Sequence, residues 1–245
     1  MNLDVTQTVR EVALNVPAAT RVFEQFGIDY CCGGNRSLES ACGTAKVPVQ
    51  KVLDSLSSAA EFTETRQVLP AESDWKNVPL ADLIAHINNA HHKYTREEIA
   101  RLGPLFDKVC RVHGANHVEL PKIQENFQAL AQELTTHMTK EERVLFPFIE
   151  RMEEAVIAGD PVIPAPFDTV NNPISMMMHE HDTAGTLLRS MRALSTDYEP
   201  PEGACFSYRT LYSALKEFER DLHQHIHLEN NILFPRAVEM EKTRS

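Results

Sequence analysis

IQENFQALAQELTTHMTKEERVLFPF, residues 123–148, decides how this chain folds. Ile123, Phe127, Leu130, Leu134, His137, Glu141, Val144 and Phe148 follow one another at alternating steps of four and three, the period of a helix with one face on a core. Near the C-terminus Leu211, Leu215, Phe218, Leu222, His225, Glu229 and Ile232 do the same. In both stripes a His, and a Glu four residues later, occupy seam positions where apolar side chains are expected. The letters repeat too: HMTKEERVLFP at 137–147 and HIHLENNILFP at 225–235 lie 88 positions apart.

Working outward, four long helical patterns run over roughly 80–112, 119–156, 173–195 and 205–240, separated by Pro- and Gly-bearing stretches such as AGDPVIPAPFDTVNNP and TDYEPPEGA. Alternating β-branched runs between hairpin turns do not occur, so the reading is all-α, with an antiparallel four-helix bundle over residues 80–245. Residues 1–65 carry shorter helical patterns broken by Gly27, Gly33, Gly34 and Gly43 and read as a small helical domain; residues 66–79, with Pro70 and Pro79, read as a linker.

Of the 245 residues 42% are hydrophobic and 24% charged, ordinary for a globular protein. The net charge of −11 argues against nonspecific binding to nucleic acid or to an anionic membrane surface, which need concentrated positive charge. No apolar run is long enough to span a bilayer, and the N-terminus lacks a basic stretch followed by an apolar one, so a cytoplasmic location is expected. Five cysteines, an odd number without scaffold spacing, point to reduced thiols.

An ionised Glu in a bundle core is costly unless paired or metal-bound, and two such intrusions call for a common cause. Four-residue spacing stacks His137 on Glu141 and His225 on Glu229. In the third helix Ile174, Met177, His181, Ala184, Leu188 and Met191 form the stripe, which puts His181 inside and His179 off the face. In the first, periodicity does not separate His91 (with Ile84, Ile87 and Tyr94) from His92 (with Asn88, Ile99 and Leu102). The internal repeat favours His92, because His92 to His137 spans 45 residues and His181 to His225 spans 44. Four His and two Glu would hold two metal ions with the glutamates as shared bridges, and a nitrogen and oxygen donor set without thiolate suits Fe or Mn.

The other histidines are expected elsewhere: His223 and His227 at solvent or a helix edge, His113 and His117 in a loop around Gly114, His86 and His91 in outer or surface roles. Glu133 and Glu180 read first as solvated carboxylates and second as partners of ligand imidazoles, and Met176, Met177 and Met178 as core packing. Pro147 and Pro235 either bend or end their helices. In DYCCGG, residues 29–34, vicinal thiols beside a flexible Gly-Gly suit metal binding, redox exchange or iron transfer; the bland alternative is small residues in a tight turn.

Taken together, DYCCGG, LIAHINNAHHKY, HMTKEERVLFPFI, NPISMMMHEHDTAG and HIHLENNILFPRA resemble the RIC family, iron-sulfur cluster repair di-iron proteins that join a short N-terminal domain to a hemerythrin-like bundle. The resemblance implies two non-haem iron ions per chain, with His92, His137, His181 and His225 as terminal ligands and Glu141 and Glu229 as bridges, and it selects His92 over His91. Cys31 and Cys32 match the family's N-terminal pair, for which iron transfer or a redox role is expected. The implied function is repair of iron-sulfur clusters after oxidative or nitrosative damage, by iron donation rather than turnover. Damaged iron-sulfur proteins are then the expected partners, NO or O₂ the expected small ligands, and a homodimer the expected assembly. Reduction of nitric oxide, or NO or O₂ binding as a sensor or scavenger, is the alternative.

Overall fold

A computed structural model describes residues 3–16, 18–65, 75–161 and 166–242. Of the linker expected over 66–79, residues 66–74 lie outside the described set. Contacts divide the chain into two compact units, Met1–Val78 with Ile226–Pro235, and Pro79–His225 with Arg236–Ser245.

The first unit begins with four helices: α1 (Val9–Asn15), α2 (Ala19–Phe26), α3 (Leu38–Ala45) and α4 (Val49–Thr65). Local chemistry sets their ends. Thr8 Oγ1 accepts from the Glu11 N–H at 3.1 Å while Glu11 Oε2 accepts from the Thr8 N–H at 2.8 Å, a reciprocal cap contributing about 1 kcal/mol. Gly27, at φ +64°, closes α2 in the left-handed conformation that glycine adopts without strain. Val9, Val12, Phe23, Tyr30, Leu38, Val52 and Leu56 form its core. DYCCGG is a turn closed by its own carboxylate, since Asp29 Oδ1 accepts from the N–H groups of Cys32 (2.9 Å) and Gly33 (3.0 Å). The Asn230 and Asn231 side chains donate to the Cys31 and Tyr30 carbonyls at 3.2 and 3.1 Å. A Cβ on Gly34 would lie 2.7 Å from Asn231 Oδ1, so this glycine is required by close approach.

The second unit is built from long helices, three of them interrupted by one π-helical turn. α5 (Leu80–His86) passes through Ile87–His92 into α6 (Lys93–His113); α7 (Glu119–Lys140) passes through Glu141–Leu145 into α8 (Phe146–Ala158). α9 (Asn171–Leu194) is uninterrupted, and α10 (Phe206–Leu228) passes through Glu229–Leu233 into α11 (Phe234–Lys242). This is the all-α hemerythrin-like bundle expected, with α7 packed on α6 and α9, and α5 on α8. Phe127 joins Phe106 and Phe218 at ring separations of 5.1 and 5.8 Å. The duplication reaches the helix starts: Glu153 accepts from the N–H groups of Leu80 (2.6 Å) and Ala81 (2.9 Å), and Glu241, 88 positions later, from that of Val170 (2.8 Å). Among the described residues no helix is long and apolar enough to cross a membrane.

The π turns explain Leu-Phe-Pro and correct the expected seam. The Phe146 N–H donates to the Glu141 carbonyl and the Phe234 N–H to that of Glu229, five residues back instead of four. Pro147 and Pro235 come next; each lacks an N–H, and its ring crowds the carbonyl four residues back, which favours the wider turn before it. The helix continues beyond each proline, so these prolines do not end it. The extra residue also shifts the phase of everything downstream. Val144, expected on the seam, is 48% exposed, and Leu145 takes the core place. In the first helix the same device moves the buried stripe from Ile84 and Ile87 to His92 and Leu102, which is why a single period could not choose between His91 and His92.

Candidate metal centre

Each π turn delivers a polar side chain to the core: His92 ends the first, Glu141 opens the second and Glu229 the third. Wide turns of this kind recur at functional sites, because the extra residue re-aims side chains that a regular helix would stack. His92, Glu141, His225 and Glu229 form one group able to hold a metal ion, and His137, Glu141, His181 and Glu229 a second; within each, the donor atoms all lie within 4.8 Å of one another. All six residues are buried, the two glutamates at 0% exposure. His91, beside His92, joins neither group among the described residues.

The geometry within the pair of groups is paired as well. His92 Nε2 lies 3.1 Å from His225 Nε2, and His181 Nε2 lies 3.1 Å from His137 Nε2. Glu141 sits between them with Oε2 at 3.4 Å from His92 Nε2 and Oε1 at 3.3 Å from His137 Nε2. Imidazole nitrogens converging in pairs, with a carboxylate divided between the pairs, offer two positions for cations joined through Glu141 and Glu229. The donor set is nitrogen and oxygen without sulfur, and the carboxylates supply charge that would otherwise be costly in the core.

Surrounding side chains orient these imidazoles. His137 Nδ1 is 2.9 Å from Glu180 Oε2, and Lys140 pairs with the same carboxylate. The His137 hydrogen bond pulls the Glu180 carboxyl down to about 2 against the opposing effect of burial. Glu180 is therefore a hydrogen-bond partner of the buried His137 imidazole and not the solvated carboxylate expected first, whereas Glu133 is exposed. His91 Nδ1 is 3.0 Å from Asp221 Oδ1, and its ring stacks on His225 at 5.7 Å. Phe146, of Leu-Phe-Pro, stacks on His92 at 5.8 Å.

Other expectations are corrected. His227 is buried, not at solvent: its ring meets Tyr30 edge-on at 5.4 Å and its Nδ1 accepts from Asn231 Nδ2 at 3.0 Å. Burial depresses its basicity to about 4. Residues 225–234 are buried without a break, which no helical period signals. Of the methionine run only Met177 is core; Met176 and Met178 are 54% and 39% exposed, because neighbours of a buried helical residue turn away from its face. His117 lies in the loop after Gly114 as expected, whereas His113 is the last residue of α6; His117 meets the Tyr208 ring edge-on and His113 at a tilt, with His113 Nε2 at 3.1 Å from Cys205 Sγ.

All five cysteines are free. Asp29, Cys31 and Cys32 form a third group able to hold a metal, with Cys31 Sγ 3.4 Å from Asp29 Oδ1 and 3.8 Å from Cys32 Sγ. Its hydrogen bond to Cys32, together with burial, pushes the Cys31 thiol well above its ordinary range.

Comparison with known proteins agrees with this layout. Residues 83–237 match the Hemerythrin HHE cation binding domain, and residues 5–60 match a domain of unknown function, DUF542. A protein named iron-sulfur cluster repair protein YtfE in Pectobacterium carotovorum is 38% identical over 96% of this chain and 98% of its own length. Similarly named proteins of Musicola paradisiaca and Yersinia pseudotuberculosis are each 36% identical over 96% of this chain, covering 97% and 98% of their own lengths.

Proposed function

The chain belongs to the hemerythrin HHE cation-binding family, among relatives named iron-sulfur cluster repair proteins, and from that premise we propose that it holds two non-haem iron ions and donates iron to iron-sulfur clusters damaged by oxidative or nitrosative stress. His92 and His225 would hold one ion, His137 and His181 the other, with Glu141 and Glu229 as bridges. The observation that carries this is the division of Glu141, one oxygen toward each imidazole pair. Iron is cargo in this reading, so the centre must hold it without trapping it. Carboxylate bridges suit that, because protonation or a competing ligand removes a shared donor and weakens both positions together.

Cys31 and Cys32, with Asp29, are assigned to iron transfer or redox exchange; metal binding there displaces the thiol protons. The domains proposed are residues 1–65, which carry this thiol turn, a linker over 66–79, and the bundle over 80–245. The protein is proposed to act in the cytoplasm on damaged iron-sulfur proteins.

The test is restoration of activity to an iron-sulfur enzyme inactivated by nitric oxide. Iron-loaded protein should restore it, and Glu141→Leu should not. Equal restoration by metal-free protein would overturn donation, and sustained conversion of nitric oxide to N₂O with a reductant would assign an enzyme instead.

A further inference from the structure

The two halves of the bundle differ at the position that follows each of the proposed bridging carboxylates. Glu142 follows Glu141, whereas Asn230 follows Glu229 at the equivalent place. Asn230 donates its amide to the Cys31 carbonyl at 3.2 Å. Glu142 instead places Oε1 at 2.8 Å from His92 Nδ1. Its other oxygen, Oε2, accepts from Arg96 Nη2 at 2.8 Å, and Arg96 is one helical turn beyond His92.

His92 is fully buried, whereas the Glu142 side chain is 30% exposed. A carboxylate can only accept here, so Nδ1 must carry the ring proton, and Nε2 is left with its lone pair facing His225 and Glu141. A partly exposed Glu–Arg pair by itself contributes little. What distinguishes this one is that it ends on a buried imidazole and fixes both its tautomer and its ring plane.

We propose that Glu142, held by Arg96, is a positioning residue that fixes His92 toward the ion shared with His225 and sets how firmly that ion, of the two, is retained. The inference rests on the two-ion reading above and assigns the two ions unequal supports: Glu142–Arg96 behind His92 for one, Glu180–Lys140 behind His137 for the other. Release of cargo can then begin at one position while the other keeps its own support.

The test loads full-length protein with ferrous iron without oxygen and follows release to a coloured ferrous chelator in wild type, Glu142→Ala, Glu142→Gln and Arg96→Met. Wild type should bind two ions. Glu142→Ala should release one of them about 10- to 100-fold faster and the other at the wild-type rate. Glu142→Gln, whose amide oxygen still accepts from Nδ1, should recover much of the slow rate, and Arg96→Met should fall between. Melting of the metal-free variants should match wild type, which separates positioning from a structural role. Unchanged release in Glu142→Ala, equal acceleration of both ions, or Glu142→Gln as fast as Glu142→Ala would overturn the role of Glu142. Wild type binding fewer than two ions would instead sink the two-ion centre, and the positioning role with it.

Discussion

Glu141 Oε1 stands 3.3 Å from Nε2 of His137, the residue one helical turn before it on the same buried face. Its second oxygen, Oε2, reaches Nε2 of His92 on another helix at 3.4 Å, so one carboxylate faces an imidazole on each of two helices.

Replacing Glu141 therefore removes a donor from both positions. Glu141→Leu should lower bound iron from about two ions per chain to below one, while His179→Ala, at an exposed position off the stripe, should leave it unchanged. Elemental analysis after anaerobic loading measures this, and full retention of two ions in Glu141→Leu would remove the bridge from the centre.

Metal removal should cost stability. In the proposed centre the ions would compensate two fully buried carboxylates, and a ligand present at 100 times its Kd stabilises a folded state by about 2.7 kcal/mol. Calorimetry should find the melting transition falling on chelation and returning on reloading with ferrous iron. Identical melting with and without metal would mean that the ions are not coupled to folding.

Pro147→Ala tests the origin of the π turn. Restoring an N–H lets residue 147 bond to the Arg143 carbonyl and favours a regular helix, which would return Val144 to the seam and turn Phe146, whose ring stacks on His92, out of its place. Helicity by circular dichroism should hold or rise while iron binding weakens. Iron binding at wild-type strength would show that Leu145 and Phe146, both buried, hold the turn without the proline.

Gly34→Ala should destabilise the first unit by about 1–3 kcal/mol, because the new methyl would meet Asn231 Oδ1 at 2.7 Å and Arg10 Cβ at 3.3 Å. The clash predicts non-additivity with Asn231→Ala, which removes the obstacle together with the hydrogen bond to Tyr30. A double variant less stable than the sum of the single effects would contradict it.

The thiols should react in order of access and ionisation. Cys205 is exposed and Cys31 buried, with its thiol held well above the ordinary value of 9.0 by Cys32 and by burial. Limited alkylation at pH 8 followed by mass spectrometry should label Cys205 first and Cys31 last. The linkage runs the same way: the folded state keeps the Cys31 proton where the unfolded chain has lost it, so stability attributable to this group falls as pH rises above about 9. Cys31→Ser should flatten that alkaline decline, and an unchanged slope would place its cause elsewhere.

Much of the centre was legible in the sequence. His137 with Glu141, and His225 with Glu229, are four residues apart on stripes otherwise apolar, and i, i+4 adjacency is a property of the helix itself. His181 followed from an uninterrupted period, and α9 contains no π turn to disturb it. The duplication pointed to His92 where periodicity did not.

What the residues by themselves determined is the set of local things: helix extents, the paired His and Glu, and vicinal thiols beside a Gly-Gly turn; that Asp29 closes that turn came from the structure. The tertiary structure decided the rest. Val144 faces out and Leu145 in because one residue is added to a turn, and His227 is buried within a run, residues 225–234, that has no exposed face. Glu142 and Glu180 reach His92 and His137 from other helices, 50 and 43 residues away in sequence. A helical period reports which residues share a face; which side chain on a neighbouring helix arrives opposite is set by packing, and no repeat within one helix encodes it.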